Sequence, residues 1–191
     1  MARPLSDNRR VLLLDAATRI IAEHGLSAPT SLISRTANVS EGSFFTYFKT
    51  KDELINALYR EIRLDLAAAV MRDFPRKASV RDRLEHLWRH WVSWGVENPV
   101  ARRALKHVSM SKAITRAVRD EGSTLFAEIE RIQMDAIAQR RLQHLPPVMA
   151  AQALKALAEM TMDLIEREPR QAETFTAAGF QMLWGALTSK P

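Results

Sequence analysis

The fold of this chain is indicated most clearly by residues 27–51, which read SAPTSLISRTANVSEGSFFTYFKTK. A proline in the first turn and the helix formers after it predict a short helix over Pro29–Ala37. The next three residues, Asn-Val-Ser at 38–40, predict a turn, because Asn tolerates a left-handed backbone and Ser caps a following helix. That second short helix is predicted over Glu41–Phe48. Two short helices at this spacing are typical of a helix-turn-helix.

Longer helices are predicted on both sides of this segment. One covers Asn8–His24, where apolar residues recur with a helical period. Gly25 follows it and suits the left-handed position after the end of a helix. Another begins after Thr50, a capping residue, and continues to about Phe74 before Pro75 stops it.

The composition of the whole chain is that of an all-α protein. It has 191 residues, 47% of them hydrophobic, and only 6 glycines. Cysteine is absent, which excludes disulfides, thiolate metal sites and a cysteine nucleophile. The net charge of +6, from 28 Lys and Arg against 22 Asp and Glu, favours an anionic partner. Because no apolar run is long enough for a signal peptide or a membrane span, we expect a cytoplasmic protein without a membrane partner.

The remaining residues predict a larger helical part. Its helices are predicted over Val80–Glu97, Val100–Val108, Lys112–Leu142, Val148–Glu168 and Ala172–Thr188. The last two are apolar on more than one face, and a helix with two apolar faces must bury both. We therefore expect a homodimer through about residues 148–168 and 172–188, with a purely internal helix pair as the alternative.

Polar side chains around the second short helix are candidates for DNA contacts. If its phenylalanines pin this helix to its neighbours, the side chains left to face a groove are Ser43, Thr46 and Tyr47. Lys51 opens the next helix, where its ammonium group can meet a phosphate. Arg9 and Arg10 can reach the DNA backbone or a minor groove, with a solvated terminus as the alternative. Glu41 can accept a hydrogen bond from cytosine but also suits a helix N-terminus.

These residues carry a family resemblance. LLDAATRIIAEHG at 13–25 and ANVSEGSFFTYFKTKDEL at 37–54 resemble the N-terminal domain of TetR-family transcriptional repressors. The resemblance covers about residues 10–58, under a third of the chain. It implies a three-helix, helix-turn-helix DNA-binding domain over residues 1–50, joined to a helical effector-binding and dimerisation domain over residues 51–191.

The resemblance also implies roles for single residues. Ser43 matches a small hydroxyl residue that contacts DNA, and Lys51 matches the lysine that opens the fourth helix. Thr30 and Arg35 lie on the helix that usually contacts the DNA backbone. Phe45 stands where many members have a tyrosine that reaches a phosphate; because it lacks a hydroxyl group, we expect Phe45 to pack. The DNA-binding candidates are together Arg9, Arg10, Thr30, Arg35, Ser40, Glu41, Ser43, Phe45, Thr46, Tyr47 and Lys51.

The C-terminal part contains candidates for an effector pocket. Aromatic and methionine side chains suit an adaptable apolar pocket, with core packing as the alternative. The ligand-binding candidates are Trp88, Trp91, Met110 and Phe126. His86 and His90 are four residues apart, but no third ligand lies at a local spacing, so we expect neither a metal nor a cofactor.

Together these features predict a homodimeric transcriptional repressor that responds to a small molecule. Each protomer would place its second short helix in a major groove, and a two-fold symmetric dimer requires a roughly palindromic operator. An effector that binds the DNA-incompetent state better would release the operator. The alternatives are a ligand-independent activator and a helical protein-interaction module. We expect no enzymatic activity, because no catalytic triad or phosphate-binding loop is recognisable.

Overall fold

The structure is a computed structural model that describes residues 5–121 and 147–188, with positions 127 and 131 between them. Its α-helices are α1 (Leu5–His24), α2 (Thr30–Thr36), α3 (Glu41–Tyr47), α4 (Lys51–Met71), α5 (Val80–Glu97), α6 (Pro99–Ser109), α7 (Pro147–Arg167) and α8 (Ala172–Thr188). Short 3-10 turns cover Gly25–Ser27 and Pro169–Gln171. The all-α prediction is confirmed for the described residues. None of the helices described is long and apolar enough to cross a membrane.

The described residues fall into two compact units whose boundary lies within α4. The first unit ends at Asp65 and resumes at Asn98, just before α6. The second unit begins at Leu66, ends at Glu97 and resumes in the C-terminal part of the chain. The predicted boundary at residue 50 separates a DNA-binding domain from an effector-binding domain, which is a division by function. That division stays a prediction.

The first unit is arranged around α1. α2 and α6 pack against α1, and α3 packs against α2. Its fully buried apolar side chains include Leu13, Ile21, Ile33, Phe44 and Leu54. Gly25 has a φ of 68°, a conformation that other residues rarely adopt. α1 therefore ends where the sequence predicts.

The second unit is centred on α5. α7 and α8 pack against α5 and against each other. The buried Trp88 of α5 donates its indole N–H to the carbonyl oxygen of Thr176 at 2.8 Å. A Cβ atom built on Gly179 of α8 would lie 2.5 Å from Trp88 Cζ2 and 2.6 Å from Thr161 Oγ1. Glycine is therefore favoured at 179, because any side chain there would force α8 or the indole ring to shift.

Three predicted helix bounds need correction. α1 begins at Leu5, three residues before the predicted Asn8. The helix predicted from Lys112 begins instead at Arg116, because residues 112–114 form a turn and the Thr115 hydroxyl caps the helix by accepting from Val118 N at 3.3 Å. The rest of that predicted helix, to Leu142, lies mostly outside the described residues. α4 ends at Met71, before the predicted Phe74, and is followed by Asp73 with a φ of 52°.

Candidate nucleic-acid interface

The connection between α2 and α3 is a tight turn held by backbone hydrogen bonds. Asn38 has a φ of 53°, the left-handed conformation predicted for this position. The N–H of Asn38 donates to the carbonyl oxygen of Arg35 at 3.0 Å, and that of Val39 donates to Ser34 at 2.9 Å. These bonds terminate α2 and fix the direction in which α3 starts.

α3 is fixed at its start by a capping serine and along its inner face by aromatic rings. Ser40 Oγ accepts from the N–H of Ser43 at 3.2 Å and donates to Ser43 Oγ at 2.9 Å. Phe44 and Phe48 are buried, and their ring centroids lie 5.9 Å apart. The prediction that phenylalanines pin this helix is confirmed for these two rings.

The outer face of α3 corrects the expectation that Phe45 packs. Phe45 is 47% exposed and meets the Phe44 ring edge-on, with the centroids 5.2 Å apart. Successive residues of an α-helix point about 100° apart, so Phe45 cannot share the buried direction of Phe44. Glu41 and Thr46 are also exposed. The Thr46 hydroxyl donates to the carbonyl oxygen of Gly42 at 3.2 Å, which leaves its oxygen available as an acceptor.

Ser43 and Tyr47 are half-buried positions of the same helix. Tyr47 lines a cleft of about 510 Å³ within the first unit. Arg10, Thr50 and Arg60 also line this cleft. Asp52 and Glu53 line the cleft as well, so Tyr47, the last residue of α3, lies in a cleft of mixed charge.

Lys51 is held by the protein itself. Its Nζ atom donates to the carbonyl oxygens of Leu26 and Ala28, both at 2.5 Å. These bonds tie the start of α4 to the turn that follows α1. An ammonium group has three donors, so one remains for a phosphate.

The start of α4 is also capped reciprocally. The Thr50 hydroxyl accepts from the N–H of Glu53 at 3.1 Å, as its predicted capping role requires. Glu53 Oε2 accepts in return from the N–H of Lys49 at 2.7 Å. The second bond goes to the residue before the N-cap rather than to the N-cap itself, so the pair is a variant of the capping box; the two bonds together fix the backbone immediately after α3.

The remaining candidates, three arginines and a threonine, differ in how they are held. Arg9 and Arg35 are exposed, and Thr30 is half-buried at the first residue of α2. Arg10 Nη1 lies 3.9 Å from Glu61 Oε2, and the Arg10 guanidinium lies 5.5 Å from the Phe48 ring centroid. The fold brings all the DNA-binding candidates into the first unit. Their individual contacts with DNA stay predictions.

Sequence reasoning missed Asn56, which ties α4 to the turn before residue 116. Its Nδ2 donates to the carbonyl oxygen of Ala113 at 2.8 Å, and its Oδ1 accepts from the N–H of Thr115 at 2.9 Å. One turn further along α4, Arg60 pairs with Glu121 at 2.8 Å. A lone asparagine in a helix is the only signal in the sequence, and it names no partner far along the chain.

The fold does not bring the ligand-binding candidates together in one unit. Trp88 is 1% exposed, in the core of the second unit, and Trp91 is half-buried. Met110 is 80% exposed and belongs to the first unit. Phe126 lies outside the described residues. A cleft of about 340 Å³ in the second unit is lined instead by residues that include Arg89, His90, Val96, Glu173 and Thr176.

The charges on this cleft are paired. Arg89 lies 2.9 Å from Glu173 and 3.2 Å from Glu85. The hydrogen bond that Arg89 donates to Glu173 is the main reason that the pKa of Arg89 is raised. The arginine in the cleft is therefore already neutralised by two carboxylates.

The histidine pair of α5 is stacked. The His86 and His90 ring centroids lie 3.8 Å apart, and His90 Nδ1 is 2.8 Å from the carbonyl oxygen of His86. Burial lowers the pKa of His86 below its ordinary value, and His90 lowers it further. Within residues 5–121 and 147–188, no cluster of three or more metal-ligating side chains occurs.

The fold and this site define a helix-turn-helix DNA-binding protein. The family model described as "Bacterial regulatory proteins, tetR family" matches residues 13–58. The HTH-type transcriptional regulator BetI of Burkholderia thailandensis is 30% identical over 171 residues, which cover 80% of this chain and 77% of that protein. The chain therefore belongs to the TetR family and is a DNA-binding transcriptional regulator.

Further relatives match in part or in fold. The fatty acid metabolism regulator protein of Bacillus subtilis is 30% identical over 73 residues, and the chain spans only 38% of its length. A TetR family transcription regulator from Marinobacter aquaeolei has a TM-score of 0.79 at 19% identity, covering 94% of this chain and 95% of that one. LfrR from Mycobacterium smegmatis, solved in complex with proflavine, has a TM-score of 0.67 at 18% identity, covering 96% and 99%. At these identities the two structures support the fold alone.

Proposed function

We propose that the protein is a homodimeric, cytoplasmic repressor that binds a palindromic operator and is released by a small-molecule effector. The observation that carries the proposal is the construction of α3. Its inner face is buried through Phe44 and Phe48, while its outer face is left open at Glu41, Phe45 and Thr46. A short helix fixed in this way is suited to enter a major groove.

The contacts with DNA follow from this arrangement. Ser43, Thr46 and Tyr47 face the groove from α3. The side chains that contact phosphates come from the surrounding helices and are Arg9, Arg10, Thr30, Arg35 and Lys51. Phosphate contacts supply most of the affinity and make it depend on salt, whereas base contacts supply the specificity.

Exposed apolar side chains support the homodimer. On α7, Met149 and Met160 are 56% and 42% exposed, and on α8 Met182 is 54% exposed. The exposed Ala153 and Ala156 complete a row on α7 at the spacing of a single helix face. In a two-fold dimer the α7–α8 pair of each protomer would cover that of the other.

An effector would bind in the helical second unit and favour a state with lower affinity for DNA. LfrR, which shares the fold, was solved in complex with proflavine, and this makes proflavine a first compound to test on this chain. Trp91, half-buried on α5, is more accessible to a ligand than the buried Trp88. Trp88, Met110 and Phe126 remain candidates on the amino-acid sequence alone.

Selection from random duplex DNA at about 150 mM salt tests the proposal, because this salt suppresses weak non-specific binding. The folded protein should enrich an inverted repeat. Arg35→Ala should then weaken binding and lower the salt slope by about 0.9 for each phosphate that the arginine neutralises in the wild type. Arg170→Ala, at an exposed arginine of the second unit, should change neither. Failure to enrich any sequence would contradict operator binding.

The dimer is tested separately by analytical ultracentrifugation. Met182→Glu should produce monomers at concentrations where the wild type is a dimer, because a carboxylate in an apolar interface loses its hydration. Leu64→Glu, at an apolar position of α4 with 44% exposure against 54% for Met182, is the matched control and should stay dimeric. If both variants behave alike, the α7–α8 interface is wrong.

A reporter gene separates a repressor from an activator. Transcription from a promoter that carries the selected operator should fall when the protein is expressed. A panel of small molecules that includes proflavine should then contain compounds that restore transcription and release the operator in vitro. Increased transcription on expression would indicate an activator, and release by no compound would favour ligand-independent binding.

A further inference from the structure

The seven residues of α3 offer an uncommon set of groups for recognising bases. Glu41–Tyr47 contains no arginine, lysine, asparagine or glutamine. Those side chains make the bidentate hydrogen bonds by which guanine and adenine are usually read in the major groove. The Ser43 hydroxyl already accepts from Ser40, and the Thr46 hydroxyl already donates to Gly42. The hydrogen bonds that remain to α3 are single ones from Glu41, Tyr47 and the unused capacity of Ser43 and Thr46, so an apolar contact would add recognition that these groups do not supply.

Phe45 is the large apolar side chain that α3 exposes. Its ring is 47% exposed, whereas the nearby Phe44 and Phe48 rings are buried. Phe44 supports the Phe45 ring at its edge, with the centroids 5.2 Å apart and the planes at 77°. The Phe45 ring is supported on one side and open on the other. Covering the open side with an apolar group is favourable, because it removes apolar surface from water.

We propose that Phe45 is a specificity-determining residue that reads thymine by packing its ring against the C5-methyl group in the major groove. This inference rests on the proposed operator binding and adds a base preference to it. Thymine is the base that displays a methyl group in this groove, so an apolar side chain distinguishes it from cytosine and from the purines. The phenyl ring has no hydroxyl group with which to bond a phosphate, so its contribution must come from an apolar contact.

Replacement of thymine by deoxyuridine tests this contact because it removes the methyl group alone. In the selected operator, each thymine of a half-site and its symmetry mate are replaced in turn, and affinities are measured by fluorescence anisotropy. At the thymine that Phe45 contacts, the wild type should bind about fourfold more weakly for each methyl group removed, and about 15-fold more weakly when the symmetric pair is replaced. Phe45→Ala should bind the parent operator at least about tenfold more weakly and show no further weakening at that position.

Matched variants control for the fold and for general loss of apolar surface. Phe45→Leu keeps an apolar side chain and should retain the sensitivity to the methyl group. Leu64→Ala removes a side chain of similar exposure, 44%, from α4 and should bind the parent operator as the wild type does. Thermal unfolding of each variant shows whether it remains folded, which is expected for Phe45→Ala because its ring is so exposed.

The outcomes separate this inference from the proposed function. If the operator is bound but wild type and Phe45→Ala are weakened equally at every deoxyuridine position, thymine recognition by Phe45 is overturned and operator binding stands. The same conclusion follows if the wild type is not weakened at any position. If selection enriches no sequence, both the operator and the thymine contact are overturned.

Discussion

The helix-turn-helix of the first unit and the α7–α8 pair of the second unit both expose apolar side chains, but they are stabilised differently. α3 spans seven residues and α8 spans seventeen. An isolated helix as short as α3 is not stable in water, so its position depends on a cap and on two buried rings. α8 is long enough to be held by core packing along its length, with Gly179 against Trp88.

This difference shows where precision is needed. A short helix must be fixed by groups next to it, and the Asn38 turn, the Ser40 cap and the paired hydrogen bonds of Thr50 and Glu53 provide this locally. The α7–α8 pair depends instead on contacts between residues far apart in sequence. Each mode of stabilisation can be tested separately, by comparing a substitution with a control substitution in the same helix.

Phe44→Ala should have the largest effect on stability. Removal of a fully buried phenylalanine typically costs about 3–5 kcal/mol, and here it removes the ring that joins α3 to the core of the first unit. Urea unfolding measures the loss. The adjacent Phe45→Ala should cost less than about 1 kcal/mol, because that ring is half exposed. Equal losses at the two positions would refute the assignment of an inner and an outer face to α3.

Gly179→Ala should have the next largest effect, in the second unit. The new methyl group would lie 2.5 Å from the Trp88 ring and 2.6 Å from the Thr161 hydroxyl, so the helices must shift, at a cost of about 1–3 kcal/mol. Gly185 is the control on the same helix, because a Cβ atom there would meet no described atom within 4 Å. Gly185→Ala should leave stability unchanged or raise it by up to about 1 kcal/mol. A wild-type melting temperature for Gly179→Ala would contradict the close approach of α8 to α5.

The sequence predicts those parts of the structure that depend on local chemistry. Asn38 predicts the left-handed turn, Ser40 and Thr50 predict caps, and Gly25 predicts the end of α1, since each acts on backbone groups within a few residues. Family resemblance adds the identity of the domain and the positions of its DNA-binding candidates. Together they define the helix-turn-helix from the amino-acid sequence alone.

Non-local contacts could not be predicted in the same way. Whether Phe45 is buried depends on the rotation of α3 relative to its neighbours, which the sequence does not state. An apolar face does not distinguish a core residue from a pocket wall, so Trp88 could be expected in either place. The bonds from Asn56 to Ala113 and Thr115 join residues that only the complete fold brings together.

Ser40→Ala tests the local stabilisation of α3 at a smaller scale. Loss of the hydroxyl that accepts from Ser43 N should cost about 1 kcal/mol, the usual value for an N-cap. Ser40→Thr retains an accepting hydroxyl and should recover most of that stability. Both variants are compared by urea unfolding and by affinity for the selected operator. If the alanine variant is as stable as the threonine variant, the cap does not contribute to fixing α3.

A pH dependence that originates in α5 should be the smallest effect. Burial and the neighbouring His90 lower the pKa of His86 in the folded protein, while the Arg72 and Val70 carbonyl groups and the Asp73 carboxylate oppose them more weakly. The unfolded chain therefore binds the proton more readily, and stability is lost as the pH falls below about 6.5. Because His86 is only half-buried, solvent screening should limit the loss to a fraction of a kcal/mol.

Urea unfolding at about pH 8 and about pH 5.5 should show a smaller acid-induced loss for His86→Gln than for the wild type. If the two lose stability equally, the acid sensitivity comes from groups other than His86, and the packing around the stacked histidines does not disfavour the imidazolium form.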